Sequence, residues 1–206
     1  MCSRSCAQCI GYTLIPLAVC CIVANILLYF PDGDATYVKD GHLATYVWFF
    51  AGIVGGGVLM FLPAGVFICL GDYECCDCCG HRGCGECCAM LGSILVALIG
   101  ALGSAYCFIV SAIALTIGPL CYTQQNWKYP FENETGEYLT NFNSWSTCEK
   151  PKNVVVWNVS LFSILLGLSG IEFLMCAMQV INGLVGAICG PCCNRQQYAM
   201  NKECGC

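Results

Sequence analysis

Four long apolar runs dominate the chain and limit what it can fold into. The first is 10–30, bounded by Arg4 and Asp32, and the second is 46–70, closed by Gly71, Asp72 and Glu74. The third is 89–117, between Glu86 and the Gly118-Pro119 break, and the fourth is 157–188, with Glu172 as its only charged residue. Each reaches the roughly 20 residues that cross a hydrocarbon core about 30 Å thick. Lipid offers backbone groups no partner, and nothing here alternates with period two as barrel strands do, so the runs read as helices. The expected fold is an all-α membrane protein, a left-handed four-transmembrane-helix bundle. The first run is too long for a cleaved signal peptide and lacks a small-residue cleavage site, so it reads as an uncleaved signal anchor.

Composition excludes the main alternatives. The 206 residues are 58% hydrophobic and only 10% charged, against about 25% charged in soluble domains. That rules out an ordinary soluble enzyme and a disordered chain. Lys+Arg 8 against Asp+Glu 13 gives a net charge of −5, with no basic run to meet phosphates, so no nucleic-acid partner is expected.

Four spans put both ends on one side, but the positive-inside count does not say which. Arg4, Arg82, Arg195 and Lys202 on the side of the ends balance Lys39, Lys128, Lys150 and Lys152 opposite. The 22 cysteines break the tie. On the side of the ends lie Cys2, Cys6 and Cys9, then Cys75, Cys76, Cys78, Cys79, Cys84, Cys87 and Cys88, then Cys189, Cys192, Cys193, Cys204 and Cys206. Cys20, Cys21, Cys69, Cys107 and Cys176 fall inside spans, leaving only Cys121 and Cys148 on the other side. Crowded thiols mark a reducing compartment, and an isolated pair in a loop reads as one disulfide in an oxidising one. The sequons Asn133-Glu134-Thr135 and Asn158-Val159-Ser160 share the Cys121/Cys148 side. The expected order is a cytoplasmic N-terminus 1–9, an extracellular loop 31–45, a cytoplasmic loop 71–88, a large extracellular loop 118–156 and a cytoplasmic tail 189–206.

The cytoplasmic cysteines cluster at three separate span ends, within reach of membrane acyltransferases. The acylation candidates are Cys2, Cys6, Cys9, Cys75, Cys76, Cys78, Cys79, Cys84, Cys87, Cys88, Cys189, Cys192 and Cys193. Zinc is the rival, since Cys76-x-x-Cys79 and Cys84-x-x-Cys87 flank His81, but the gap between the pairs is far tighter than the spacing of about 12–20 in zinc modules. No metal or other cofactor is expected. Cys204-Gly205-Cys206 superficially resembles a prenylation end, which adds little to a chain already held by four helices.

Glu172 is the only ionisable residue at membrane depth, a placement that costs about 2.5–3.5 kcal/mol on insertion scales. A transport path needs several polar partners at matching depth, and only Asn25, Gln179 and Asn182 offer themselves. The favoured reading is a polar tie between helices, with Asn25 as the expected partner; a channel or transporter subunit is the alternative. Small residues at Gly52, Gly56, Gly100 and Gly167 flatten faces on spans two, three and four for close packing within one bundle, with a homo-oligomer as the other use of such faces. A Cys121–Cys148 disulfide would stabilise the large loop by roughly 3–4 kcal/mol. Between those cysteines Trp127, Tyr129, Phe131, Tyr138, Phe142 and Trp145 could form a miniature core or a partner-binding face. No nucleophile–base pair, phosphate loop or acid pair occurs, and His42 and His81 lie on opposite sides of the membrane, so catalysis has no support and the chain is not expected to be an enzyme.

The pattern resembles the transmembrane-four L-six family over nearly the full chain. The matching residues include Cys6-Ala7-x-Cys9, Ala24-Asn25-Ile26-Leu27-Leu28-Tyr29-Phe30-Pro31 and Val47-Trp48-Phe49-Phe50 with the following Gly52 to Gly57. They continue through Cys75-Cys76-x-Cys78-Cys79-Gly80, Gly118-Pro119-x-Cys121, Trp127-x-Tyr129-x-Phe131, Trp145-x-x-Cys148, Trp157 to Ser163 and Gln179 to Gly183. The resemblance implies a non-enzymatic plasma-membrane scaffold, with endosomal membranes as a second location. It implies association with membrane lipid, tetraspanins and integrins in microdomains, and an influence on adhesion, migration and proliferation. The chain differs from true tetraspanins in lacking a Cys-Cys-Gly motif in its large loop, and from claudins and connexins in lacking cysteine in 31–45. It departs from the family at Asn126-Trp127-Lys128, where the family's antigen carries a sequon; Asn133 is the substitute. Both ends are expected inside, so protease added to intact cells spares a tag on either terminus; digestion of such a tag overturns the cysteine argument.

Overall fold

The computed structural model describes the backbone over residues 2–33, 36–39, 41–71, 82–123, 126–132 and 136–203, with side chains over 6–31, 33, 36–38, 41–70, 91–123, 126–132 and 136–185. Four segments are long and apolar enough to cross a membrane: Cys6–Leu27, Thr45–Leu70, Leu91–Ile117 and Val154–Val185, called spans one to four. Span one lies in helix α1 (Cys2–Leu27), and a short helix α2 (Thr36–Lys39) follows. The second half of span two is α3 (Phe61–Gly71), span three lies in α4 (Arg82–Ile117) and span four in α5 (Val154–Glu203). The chain ends therefore share one side of the membrane, the end side. The segments between spans one and two and between spans three and four share the other, the loop side.

One stripe of the buried positions in each of spans one, three and four steps by alternating threes and fours. In span one it runs through Leu14, Ala18, Cys21, Asn25 and Leu28. In span three it runs through Ser93, Ala97, Gly100, Ser104, Cys107, Ser111 and Ala114, all small, with Val110 and Leu115 buried beside it toward the loop side. In span four it runs through Val155, Asn158, Phe162, Leu165, Ser169, Glu172, Cys176, Gln179 and Gly183. A mean period of 3.5 keeps one stripe facing its partners when helices wind around each other in the left-handed sense. With lipid as apolar as any leucine, close backbone approach and internal polar contacts hold such seams together.

Span two is irregular over its first half, where the sequence leads one to expect continuous helix. Phe50 sits in the left-handed region at φ 49°. A π-helical turn over Ala51–Gly55 follows, then Gly57 at φ −111°, ψ −95° and a 3-10 turn over Val58–Met60. Gly52, Gly55, Gly56 and Gly57 each weaken a helix by about 1 kcal/mol relative to alanine, so tertiary contact decides their conformation. That contact is backbone on backbone. A Cβ on Gly55 would stand 2.5 Å from the Gly103 carbonyl oxygen, and one on Gly103 would stand 2.8 Å from the Gly55 oxygen. Irregular backbone survives at membrane depth only where protein satisfies it. Here the Tyr29 hydroxyl donates to the Val47 carbonyl at 2.9 Å and the Tyr106 hydroxyl to that of Phe49 at 3.0 Å. Regular helix resumes at Phe61, and Pro63 falls in its first turn, where a missing N–H is harmless.

On the loop side, β1 (Cys121–Thr123) pairs antiparallel with β2 (Asn126–Lys128), Tyr122 facing Trp127, and Tyr122 also bridges to Lys150. The Cys121–Cys148 disulfide clamps this segment. Phe131 stacks on Tyr138 with centroids 4.5 Å apart, and both bury with Cys121, Val154 and Val155. The aromatics of the long loop thus build a miniature core continuous with the start of span four.

Gly103→Ala should lower the melting temperature of the purified protein and its surface delivery, at the cost of about 1–3 kcal/mol typical of overpacking. Gly65→Ala, where an added Cβ meets nothing within 4 Å, should do neither. Equal behaviour of the two variants would contradict the close approach of spans two and three.

Candidate functional site

The described residues gather polar groups at one place inside the bundle. Glu172 is fully buried, and its Oε1 accepts a hydrogen bond from the Cys21 thiol of span one at 3.7 Å. Its Oε2 has no partner within the protein. Gly56 of span two supplies the room: a Cβ there would stand 3.3 Å from Oε2 and 3.1 Å from the Cys21 sulfur. Cys107 of span three completes the ring, close to Glu172, Ser111, Ser169 and the backbone of Gly56. One turn toward the loop side, Asn25 is also buried and its Oδ1 is unpartnered, as is the Ser111 hydroxyl oxygen by strict hydrogen-bond geometry. The tie expected between Glu172 and Asn25 is therefore replaced by one between Glu172 and Cys21. Asn25 stands a full turn along span one from Cys21 and instead packs its Cβ against the backbone of Gly52.

Of the small residues singled out for packing, three meet neighbours at close range. A Cβ on Gly52 would lie 2.7 Å from Leu165 and 2.8 Å from Asn25, and one on Gly100 would lie 2.9 Å from the Cys176 sulfur. Gly56 is the third, described above. Gly167 does not pack: nothing lies within 4 Å of its Cβ position, because it falls between the inward positions Leu165 and Ser169 and faces outward. Sequence reasoning passed over Gly103, Cys21, Cys107, Ser111 and Ser169. The step 169, 172, 176, 179 was the available signal, since it puts Ser169, Cys176 and Gln179 on the face of Glu172.

The second cluster is aromatic and joins the two loops. His42 stacks flat on Trp127 with centroids 4.0 Å apart, and Tyr37 and Tyr122 meet the same ring edge-on. The Thr45 backbone N–H donates to the Tyr129 hydroxyl at 2.9 Å. Beneath, the Tyr138 hydroxyl donates to the Leu115 carbonyl at 2.6 Å and the Trp145 indole to the Tyr138 carbonyl at 2.8 Å. Burial pushes the Tyr138 hydroxyl up to about 12, so it stays a donor at any ordinary pH. Phe142 alone projects, 67% exposed, its ring edge-on to Trp145 at 5.0 Å.

The covalent-modification candidates divide by position. Cys6 and Cys9 present exposed thiols at the end side of α1. Cys2, Cys84, Cys87, Cys88, Cys189, Cys192 and Cys193 lie on helical backbone, and Cys75, Cys76, Cys78, Cys79 and Asn133 lie outside the described residues. Asn158, by contrast, occupies the second turn of α5 on its inward seam and is only 9% exposed.

Residues 1–193 match the family model for L6 membrane protein. The human protein Transmembrane 4 L6 family member 1 is 58% identical to the chain, over 96% of this chain and 98% of its own length. Transmembrane 4 L6 family member 4 of Rattus norvegicus is 52% identical over 93% and 94%, and member 5 of Bos taurus is 43% identical over 95% and 98%. No solved structure matches the chain.

An inward-facing Asn158 is a poor glycan acceptor, since acceptors belong to exposed loops. Asn133→Gln should therefore abolish the endoglycosidase-sensitive shift on a gel, and Asn158→Gln should leave most of it. Loss of the shift in Asn158→Gln alone would mean that α5 begins later than this packing allows.

Proposed function

From the premise that the chain belongs to the L6 membrane protein family of multi-pass membrane proteins, we propose that it acts as a non-enzymatic adaptor of the plasma membrane. Its chain ends face the cytoplasm, its loop side is extracellular, and it gathers tetraspanins and integrins into microdomains that influence adhesion, migration and proliferation. The observation that carries this reading is the loop-side platform. A disulfide, an aromatic core and a stacked second loop hold it rigid, and Phe142 stands out of it at 67% exposure. A projecting aromatic on a rigid support loses little entropy on binding, which is what a lateral partner contact needs. The exposed thiols of Cys6 and Cys9 support acylation at the opposite membrane face. The transport alternative has less behind it, because Leu28, Phe162 and Leu165 close the bundle with apolar side chains on the loop side of the polar centre.

Proximity labelling in intact cells tests the adaptor reading. Phe142→Ala should at least halve the labelling of neighbouring membrane proteins at unchanged surface level. Serine at Cys2, Cys6 and Cys9 should reduce hydroxylamine-sensitive acyl label. An unaltered neighbour set in Phe142→Ala would remove the platform from the mechanism.

A further inference from the structure

We propose that Cys69 is an S-acylation site, which together with Cys6 and Cys9 forms a rim of fatty-acyl thioesters around α1 and α3 on the end side of the membrane. By sequence Cys69 counts as a residue inside span two, just before its last residue, Leu70. The structure gives it an exposed thiol, as it does Cys6 and Cys9, and sets the three at one depth. Gly11 of α1 packs directly on α3: a Cβ there would stand 2.8 Å from the Ala64 carbonyl oxygen and 3.1 Å from the Ile68 nitrogen. Residue 11 is thus level with the turn 64–68. Because the two helices run in opposite directions, Cys69 comes within about one residue of the level of Cys9, and Cys6 lies about 4.5 Å further out. The next charged residue after Cys69 is Asp72, at most about 10 Å away along even a fully extended chain. The Cys69 thiol therefore stands at the membrane surface, where acyltransferases work.

The two membrane faces are built differently, and the difference points to the same rim. All four tryptophans lie on the loop side, Trp48 and Trp157 near the starts of spans two and four and Trp127 and Trp145 in the long loop. Trp48, Phe49 and Phe50 are 46%, 48% and 41% exposed there, a belt of the kind that holds spans at headgroup level. On the end side, the terminal turns of the spans, 6–11, 66–70, 91–95 and 181–185, contain no tryptophan or tyrosine, and their one aromatic residue, Phe67, is buried. The exposed Tyr12 lies three residues deeper than Cys9. Acyl chains on α1 and α3 supply at this face the surface-level contact that aromatic rings supply at the other. The remaining thiols of the spans do not qualify. Cys21, Cys107 and Cys176 are buried, and Cys20, though exposed, is about 21 Å along α1 from Cys6.

In the transfer, the Cys69 sulfur attacks the carbonyl carbon of a long-chain acyl-coenzyme A, delivered through a membrane acyltransferase. The new sulfur–carbon bond forms as the bond to the coenzyme A sulfur breaks, the thiol proton leaves with coenzyme A, and nothing is oxidised or reduced. The site rests on the cytoplasmic end side of the adaptor reading, where that donor is found.

The test is peptide mapping of the full chain from animal cells. Thiols are blocked with N-ethylmaleimide, thioesters are cleaved with hydroxylamine, and the thiols so released are tagged and located by mass spectrometry. Cys69 should carry tag within about twofold of Cys9 and at least roughly tenfold above Cys20. In Cys69→Ser with Leu62→Cys, an exposed thiol moves about 10 Å deeper on the same face of α3, and its tag should fall to the level of Cys20. Tag at Cys9 with Cys69 no higher than Cys20 overturns the site and leaves the adaptor reading standing. Absence of tag from Cys6, Cys9 and Cys69 together overturns acylation in both. Tag at the deeper thiol equal to that of Cys69 overturns the depth argument.

Discussion

Span three turns toward the rest of the bundle a face built almost wholly of serine, alanine, glycine and cysteine, from Ser93 to Ala114, with Val110 as the larger side chain among them. Such a face has almost no side-chain bulk, so neighbouring backbones close onto it. Gly55 meets Gly103 carbonyl against Cα, and Pro63 and Cys176 close over Gly100. In lipid this closeness replaces the hydrophobic drive that holds soluble helices together. Span two can follow span three so tightly only by giving up regular helix between Phe50 and Met60. The cost of that irregularity is offset by the hydroxyls of Tyr29, just past span one, and Tyr106 of span three, which donate to the carbonyls of Val47 and Phe49.

The same break makes room for the polar centre. Gly52 and Gly56 bring bare backbone to Asn25 and Glu172, and a side chain at either position would fill the space that the two polar groups now occupy. Apolar side chains pack on both sides of them, Phe162, Leu165 and Leu28 toward the loop side and Leu14, Met60 and Phe67 toward the end side. A buried carboxyl is tolerated where thiols and hydroxyls surround it, far from any strong charge.

The loop-side platform depends on a different balance. Outside the membrane a short loop cannot bury enough apolar surface to order itself. The disulfide, the Phe131–Tyr138 stack and the packing of Trp145 against the start of span four supply the missing stability together. Trp127 then carries the order across to 31–45 through His42 and Tyr37, so that both loops form one surface.

Most of the architecture was legible in the chain because its determinants are local. Uncharged runs of membrane length, a lone loop-side cysteine pair and a single intramembrane acid each announce themselves without knowledge of neighbours. The packing value of Gly52, Gly56 and Gly100 could be read from spacing, whereas Gly167 could not be told from them, since only the rotation of span four decides that it faces outward. The sequence by itself determined that four helices cross a membrane, that Glu172 must be buried among them and that Cys121 and Cys148 clamp one loop. Tertiary structure alone decided that Glu172 meets Cys21 instead of Asn25, that span two breaks at Phe50 and that His42 lies on Trp127. Those outcomes depend on which residues of different helices arrive at the same depth, and depth is set by the backbone approach of Gly55 to Gly103, a contact between segments far apart in the chain.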